Sequence, residues 1–495
     1  MSSPKIYGSA EVTALLRDAP RSTLEKLLHD QCFEASRIGS AALLDSLVRA
    51  EAPRPEKIAR FYAGGTGALD GISAALMTFD VLDYVSIAAR MRFFIACKPL
   101  LALRSEPRAW RLLDLHTLDH PTYAHKKEPR SSEQSLAAVA RLPLARVEEL
   151  GLRDEGYCCG EHSVAWSGWK ALLDAIPRGS PLRRLEIGGC AFKKAAFNFV
   201  ANKFGATIEA VEYIPANGSI GDALKLFAKT PRLVELKIVT WDTPNVDIVE
   251  FLAEAGAALG SARSERGRSV LERLNLSRSI TDPAIATDRI LSTLAAHYPE
   301  LVYADLGRLE VLVDSSPPAP PPLSRLADLY FTLVICRRLI GAQLGIVGAR
   351  HLHASAAFVA KTCPNLSKLR LRVELKSGLP PQSMLTLTAA FVDGLRGLAG
   401  LEDLTIESVA LDTTTTVYDL MAFFNLELPR SLKRYCVKFY APPTYAASDV
   451  LRIFRATASA AGPAQAALGI DFDFFLRYKS SSGEWASERI VLGLS

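Results

Sequence analysis

The chain lacks any run of about 18 uninterrupted apolar residues, the length a membrane-spanning helix needs. Its opening stretch, MSSPKIYGSAEVTALLRDAP, also lacks an apolar core of signal-peptide length. The expectation is a soluble protein of the cytoplasm or nucleus with no membrane partner. Charge of one sign is scarce as well. Against 58 Lys and Arg stand 53 Asp and Glu, and a net charge of +5 over 495 residues is too little to imply a nucleic-acid surface by itself. Cysteine is thin: eight residues, at 32, 97, 158, 159, 190, 336, 363 and 436, fit reduced thiols better than a disulfide framework.

Chemistry-bearing motifs are missing too. DLHTLDHPTYAHKK brings His116, Asp119, His120 and His125 close in sequence, and YCCGEH offers Cys158, Cys159, Glu161 and His162. Neither has a paired zinc spacing, and Pro121 breaks the one His pair spaced four apart. GGTGALDG lacks the Gly-Lys-Ser/Thr ending of a phosphate loop. No nucleophile elbow or Rossmann glycine pattern sits in its strand-to-helix context. The expectation is a non-enzyme with no metal, no cofactor and no small-molecule ligand.

What is present is a spacing. The pattern apolar, two residues, apolar, one residue, apolar recurs from residue 147: Val147, Leu150, Leu152; Leu182, Leu185, Ile187; Ile208, Val211, Tyr213; Leu233, Leu236, Ile238; and Leu271, Leu274, Leu276. It continues with Leu301, Ala304, Leu306; Leu326, Leu329, Phe331; Leu366, Leu369, Leu371; Leu401, Leu404, Ile406; and Leu432, Tyr435, Val437. Successive copies start roughly 32 residues apart, within the range of a stacked-repeat architecture. A proline precedes several copies, in SPLRRL, TPRLVEL, YPELVYADL, CPNLSKL and LPRSLKRY, where a helix must stop before a strand begins. Between copies lie helical patterns, such as Ile220, Ala223, Leu224, Phe227 and Ala228, or Phe192, Ala195, Ala196, Phe199 and Val200.

These strand-plus-helix units resemble the leucine-rich-repeat family in its longer, helix-containing forms. CPNLSKLRL and LRRLEIGGC resemble its cysteine-containing subtype, with Cys190 in the position after the strand. The resemblance implies an α/β solenoid, a horseshoe of short parallel strands and helices, with about ten irregular repeats over residues 141–495. The competing reading is a general α/β domain with chance matches. SSPPAPPP, residues 315–322, reads as a looped-out Pro-rich insertion. GIDFDFFLRY reads as a half-buried terminal strand that caps the array.

In such a solenoid the residues between the apolar positions face the concave side, because side chains alternate along a strand. Those positions hold a mixture of acids and bases, with acids concentrated in the first copies and bases toward the last, which suits a protein partner rather than a phosphate backbone. The candidate partner-binding residues are Arg184, Glu186, Glu212, Lys237, Arg273, Asp305, Lys368 and Arg370. Lys368, Arg370 and Arg372 are the most basic local cluster, with Arg372 expected to point toward neighbouring loops.

Ahead of the repeats, VLDYV, ACK and the spacing to Pro107 and Trp110, followed by LLDL, resemble an F-box. The family's Leu-Pro start is replaced by GISAALMTF. The resemblance implies docking to a Skp-type adaptor through Leu82, Val85, Met91, Phe94, Ile95 and Trp110. The plain alternative is an N-terminal helical cap. The expected organisation is an all-α N-terminal region over 1–70, an F-box-like module over 71–118, a linker over 119–140, then the repeats. In the order of F-box and leucine-rich-repeat proteins, this implies a substrate receptor of a cullin-type ubiquitin ligase. The alternative is a scaffold subunit with a degenerate F-box.

Overall fold

The computed structural model describes residues 105, 107–115, 132–153, 165–189, 192–215, 220–240, 247–266, 271–278, 284–310, 320–335, 344–375, 381–410, 420, 428–440, 448–449, 451–457, 470–479 and 485–492. The F-box-like residues Leu82, Val85, Met91, Phe94 and Ile95 lie outside them, as do Cys190, the His116–His125 and Cys158–His162 clusters, and most of the Pro-rich loop. Two compact units divide the chain: Met1–Leu150 with Ser167–Ser180, and Gly151–Trp166 with Pro181–Ser495.

The described part of the first unit contains a 3-10 turn at Pro107–Trp110, β1 (Leu112–Asp114) and α1 (Ser132–Val139), and it takes in the start of β2 (Glu149–Arg153) and most of α2 (Trp166–Ala175). Its apolar residues are inside: Trp110, Leu113, Leu136, Leu144, Trp169 and Leu172 are all buried. The carbonyl of Arg111 accepts hydrogen bonds from the amides of both Glu148 and Glu149, at 2.9 and 3.1 Å.

The second unit is organised by one sheet. In chain order its elements are β3 (Arg184–Gly188), α3 (Lys194–Phe204), β4 (Ala210–Ile214), α4 (Leu224–Phe227), β5 (Glu235–Thr240), α5 (Ile248–Arg266), β6 (Arg273–Arg278), β7 (Ile285–Ala286), α6 (Thr287–His297), β8 (Tyr303–Glu310), β9 (Asp328–Ile335), α7 (Leu344–Thr362), β10 (Lys368–Leu375), α8 (Pro381–Gly394), β11 (Asp403–Ala410), β12 (Arg434–Tyr440), β13 (Asp471–Lys479) and β14 (Trp485–Leu492). From β3 to β13 the strands lie side by side in chain order and parallel, with the short β7 set beside the far end of β8. The last pair, β13 and β14, is antiparallel. GIDFDFFLRY is therefore the penultimate strand of this sheet, and β14 follows it.

The apolar spacing builds the sheet. All thirty of its residues are buried, none more than 6% exposed. Their middle members stand in one register line across the unit: Leu185, Val211, Leu236, Leu274, Ala304, Leu329, Leu369, Leu404 and Tyr435, ending on Phe472. A second line runs through backbone carbonyls. The residue after each first apolar position, from Arg183 through Glu209, Val234, Glu272, Val302, Ala327 and Ser367 to Glu402, accepts two successive amides of the next copy, at 2.7 to 3.1 Å. The prolines act as the sequence requires: α6 and α7 end at His297 and Thr362, two residues before Pro299 and Pro364.

Helices cover the apolar face. Phe197 and Phe251 meet Tyr213, Phe391 meets Phe331, and Phe454 meets Phe439, with ring centroids 5.6 to 6.1 Å apart. The helical expectations shift in detail. IGDALKLFA forms a 3-10 turn and one turn of α4, burying Leu226 and Phe227 while Leu224 stays half-exposed. In α3 the buried stripe is Ala196, Phe197, Val200, Ala201 and Phe204, and Ala195 is exposed. The helix is rotated relative to the expected stripe, so that Phe197 reaches Tyr213. Gly394 lets α8 approach α7: a Cβ there would lie 2.6 Å from the His353 carbonyl oxygen and 2.7 Å from Ala356 Cβ.

Candidate functional site

Side chains alternate along a strand, so burying the apolar positions on one face sends the residues between them to the other. Two register lines cross that open face. One runs Arg184, Ala210, Glu235, Arg273, Tyr303, Asp328, Lys368, Asp403, Arg434, Asp471; the other runs Glu186, Glu212, Lys237, Asn275, Asp305, Tyr330, Arg370, Thr405, Cys436, Asp473. All eight residues named from the sequence stand in these lines. They share a face without forming one cluster: Arg184 and Lys368 are six strand steps apart, about 29 Å at the usual spacing.

Most charges on this face are matched by neighbours. Arg184 and Arg273 flank Glu235 at 3.3 and 3.9 Å, and Lys237 meets Glu212 at 3.0 Å. On the C-terminal side Lys433 meets Glu402 at 2.7 Å and Lys438 meets Glu407 at 2.6 Å. Asp473, nearly buried, takes a two-pronged contact from Arg489, Nε to Oδ1 at 2.9 Å and Nη2 to Oδ2 at 2.8 Å, with Arg434 beside it. The opposite charges are therefore interleaved strand by strand rather than segregated toward the two ends.

The middle of the face, on β8, β9 and β10, is different. Tyr303 and Asp305 stand on β8, Asp328, Tyr330 and Thr332 on β9, and Lys368, Arg370 and Arg372 on β10. The Arg273 guanidinium lies over the Tyr303 ring at 5.1 Å, and Arg370 lies over Tyr330 at 5.9 Å. Burial pushes the Asp305 carboxyl up to about 6, against the opposing pull of the Gly307 amide and Arg370. Burial raises Asp328 as well, while Lys368 and Arg370 pull it down. Both tyrosine hydroxyls are raised by burial, with Asp305 adding to each.

A bulge sets this geometry. Asp305 pairs with Tyr330, but Arg308 pairs with Thr332, so β8 carries one extra residue. Gly307 takes φ 64° there, and its amide donates to Asp305 Oδ1 at 3.1 Å. The slip puts Arg308 on the open face, where its Nε reaches across β9 to Glu374 Oε2 at 3.0 Å.

Sequence reasoning placed the eight charged positions but missed part of the site. Tyr303 and Tyr330 occupy the same intervening positions and were legible there. Arg372 does not turn toward loops: β10 continues to Leu375, and Arg372 pairs with Thr332 on the open face. The signal was the alternation of Leu371, Val373 and Leu375 beyond the third apolar position. Trp110 is fully buried in the first unit. On the helix side, an open pocket of about 460 Å³ beside α7 and α8 is lined by His353, Lys361, Asp393 and Arg396 among others. Its Asp393 is matched by His353 and Arg396. Among the described residues no group of three or more His, Cys, Asp or Glu is placed to hold a metal ion, and no helix is long and apolar enough to cross a membrane. Compared with known proteins, the chain matches no family model and no curated sequence.

Proposed function

We propose that the chain is a leucine-rich-repeat solenoid carrying an F-box-like module, and that it acts as a substrate receptor of a cullin-type ubiquitin ligase. The observation that supports this reading is the open face. Parallel sheets are normally covered by helices on both sides, and their strands then read as continuous apolar runs. Here one face is apolar from β3 to β13 while the other carries charged and aromatic side chains, the arrangement of a surface kept for a protein partner. The F-box-like residues Leu82, Val85, Met91, Phe94 and Ile95 dock the Skp-type adaptor, and the repeats hold the substrate for other subunits to modify. The chain positions and does not catalyse.

A second reading rests on Trp110. Its complete burial makes it a core residue of the first unit, as in a helical cap that serves a scaffold subunit. Capture of a Skp-type adaptor by the full-length chain separates the two. The receptor reading requires retention that Leu82→Asp and Ile95→Asp abolish; no retention, or retention unchanged by both, favours the scaffold.

A further inference from the structure

Most bases of the open face are paired with a neighbouring carboxylate, Arg184, Lys237, Arg273, Arg308, Arg434 and Lys438 among them, but those of β10 are not. Lys368, Arg370 and Arg372 are exposed, stand on alternate residues of one strand, and have no carboxylate within ion-pair distance among the described residues. The acids nearest in register are otherwise engaged or set back. Asp403 and Glu407 on β11 pair with Arg434 and Lys438, while Asp305 and Asp328 on the other side are partly buried. Alternate residues of a strand stand about 6.6 Å apart, so the three cations form a straight row about 13 Å long. Stacking over Tyr330 orders the middle guanidinium of that row.

We infer that the β10 row is the docking line for an extended acidic segment of a partner protein, with carboxylates on alternate residues opposite Lys368, Arg370 and Arg372. This inference rests on the reading of the open face as the partner-binding surface and adds the partner's chemistry. The spacing of the row matches the spacing of alternate side chains in an extended chain. A nucleic-acid backbone fits worse, because Asp328 and Asp403 flank Lys368 and Glu407 flanks Arg372, confining the bases to a strip one strand wide and three charges long, too few phosphate contacts to supply the affinity that such binding draws from uniform positive potential.

The test uses the full-length chain and a fluorescent dodecapeptide of alternating Glu and Ser, read by polarisation at low and high salt. Replacing all three bases (Lys368→Gln, Arg370→Gln, Arg372→Gln) should weaken binding about tenfold or more and flatten its salt dependence. A variant with the same loss of charge on the helix side (Lys193→Gln, Lys194→Gln, Lys225→Gln) should bind as wild type does. Thermal melts check folding, and Arg370→Gln alone, expected to lose about threefold, stands in if the triple variant unfolds. Equal binding by the β10 variant, equal loss in both triple variants, or tighter binding of an oligouridylate than of the acidic peptide would overturn the inference. Adaptor capture depends on residues outside this face. A chain that retains the adaptor but ignores the acidic peptide therefore keeps the receptor reading and loses only this one.

Discussion

Asp305 and Gly307 set the chemistry and the geometry of the bulge on the open face. Burial holds the Asp305 carboxyl at about 6 in the folded chain against an ordinary 3.8, so folding favours the protonated form. The sign follows: the favourable contribution is fully present below about pH 4 and is lost as pH rises through about 6, where the folded chain must carry a partly buried charge. Asp305→Asn keeps an oxygen for the Gly307 amide and removes that charge. Its unfolding free energy from urea melts should match wild type near pH 4 and exceed it at pH 7.5, by about 1–2 kcal/mol once partial exposure is discounted. An asparagine that is neutral or destabilising at pH 7.5 would show that Arg370 already offsets the burial. Gly307, at φ 64°, is where β8 takes up its extra residue. Gly307→Val should cost about 1–3 kcal/mol in denaturant melts, since a β-branched side chain is strained in the left-handed region.

Most strands of the second unit carry three apolar positions and a paired carbonyl, and several follow a helix that ends at a proline. That is why so much of it was readable from a spacing. Leu369 sits in the middle register line, 1% exposed, and Leu369→Ala should cost about 2–5 kcal/mol, whereas Arg370→Ala next to it should stay within about 0.5 kcal/mol. Comparable losses from both would mean that the two faces are not the inner and outer surfaces of one sheet. The parts that were not readable have physical reasons. Strands β8 to β12 run several residues past the third apolar position, so a pattern ending at Leu371 misplaced Arg372. The bulge depends on a backbone angle, and its trace in the sequence is the three-residue step from Leu306 to Leu309. The helix faces were set by where Phe197 and Phe227 found aromatic partners, which periodicity alone does not decide. β14 went unrecognised because WASERIVL pairs with a strand that lies outside the ten copies of the repeat pattern. The residues before Trp110 to which the F-box resemblance assigns adaptor docking lie outside the described residues.

At the scale of the whole molecule, the parallel sheet of the second unit has an apolar, helix-covered face and a charged, aromatic face, and in the proposed function the first serves folding and the second recognition. The first face keeps strands β3 to β13 in register; the exposed charges of the second can vary with little effect on stability. The proposed receptor then works by joining two ends: adaptor contacts before the repeats and a partner on the sheet. The most direct measurement is purification of the tagged full-length chain from its native cell under mild salt, followed by identification of co-eluting proteins. The receptor account predicts a Skp-type adaptor and a cullin together with a partner protein, with Ile95→Asp losing the adaptor while keeping the partner, and the β10 triple variant doing the reverse. Recovery of a stable partner assembly with neither adaptor nor cullin would contradict it.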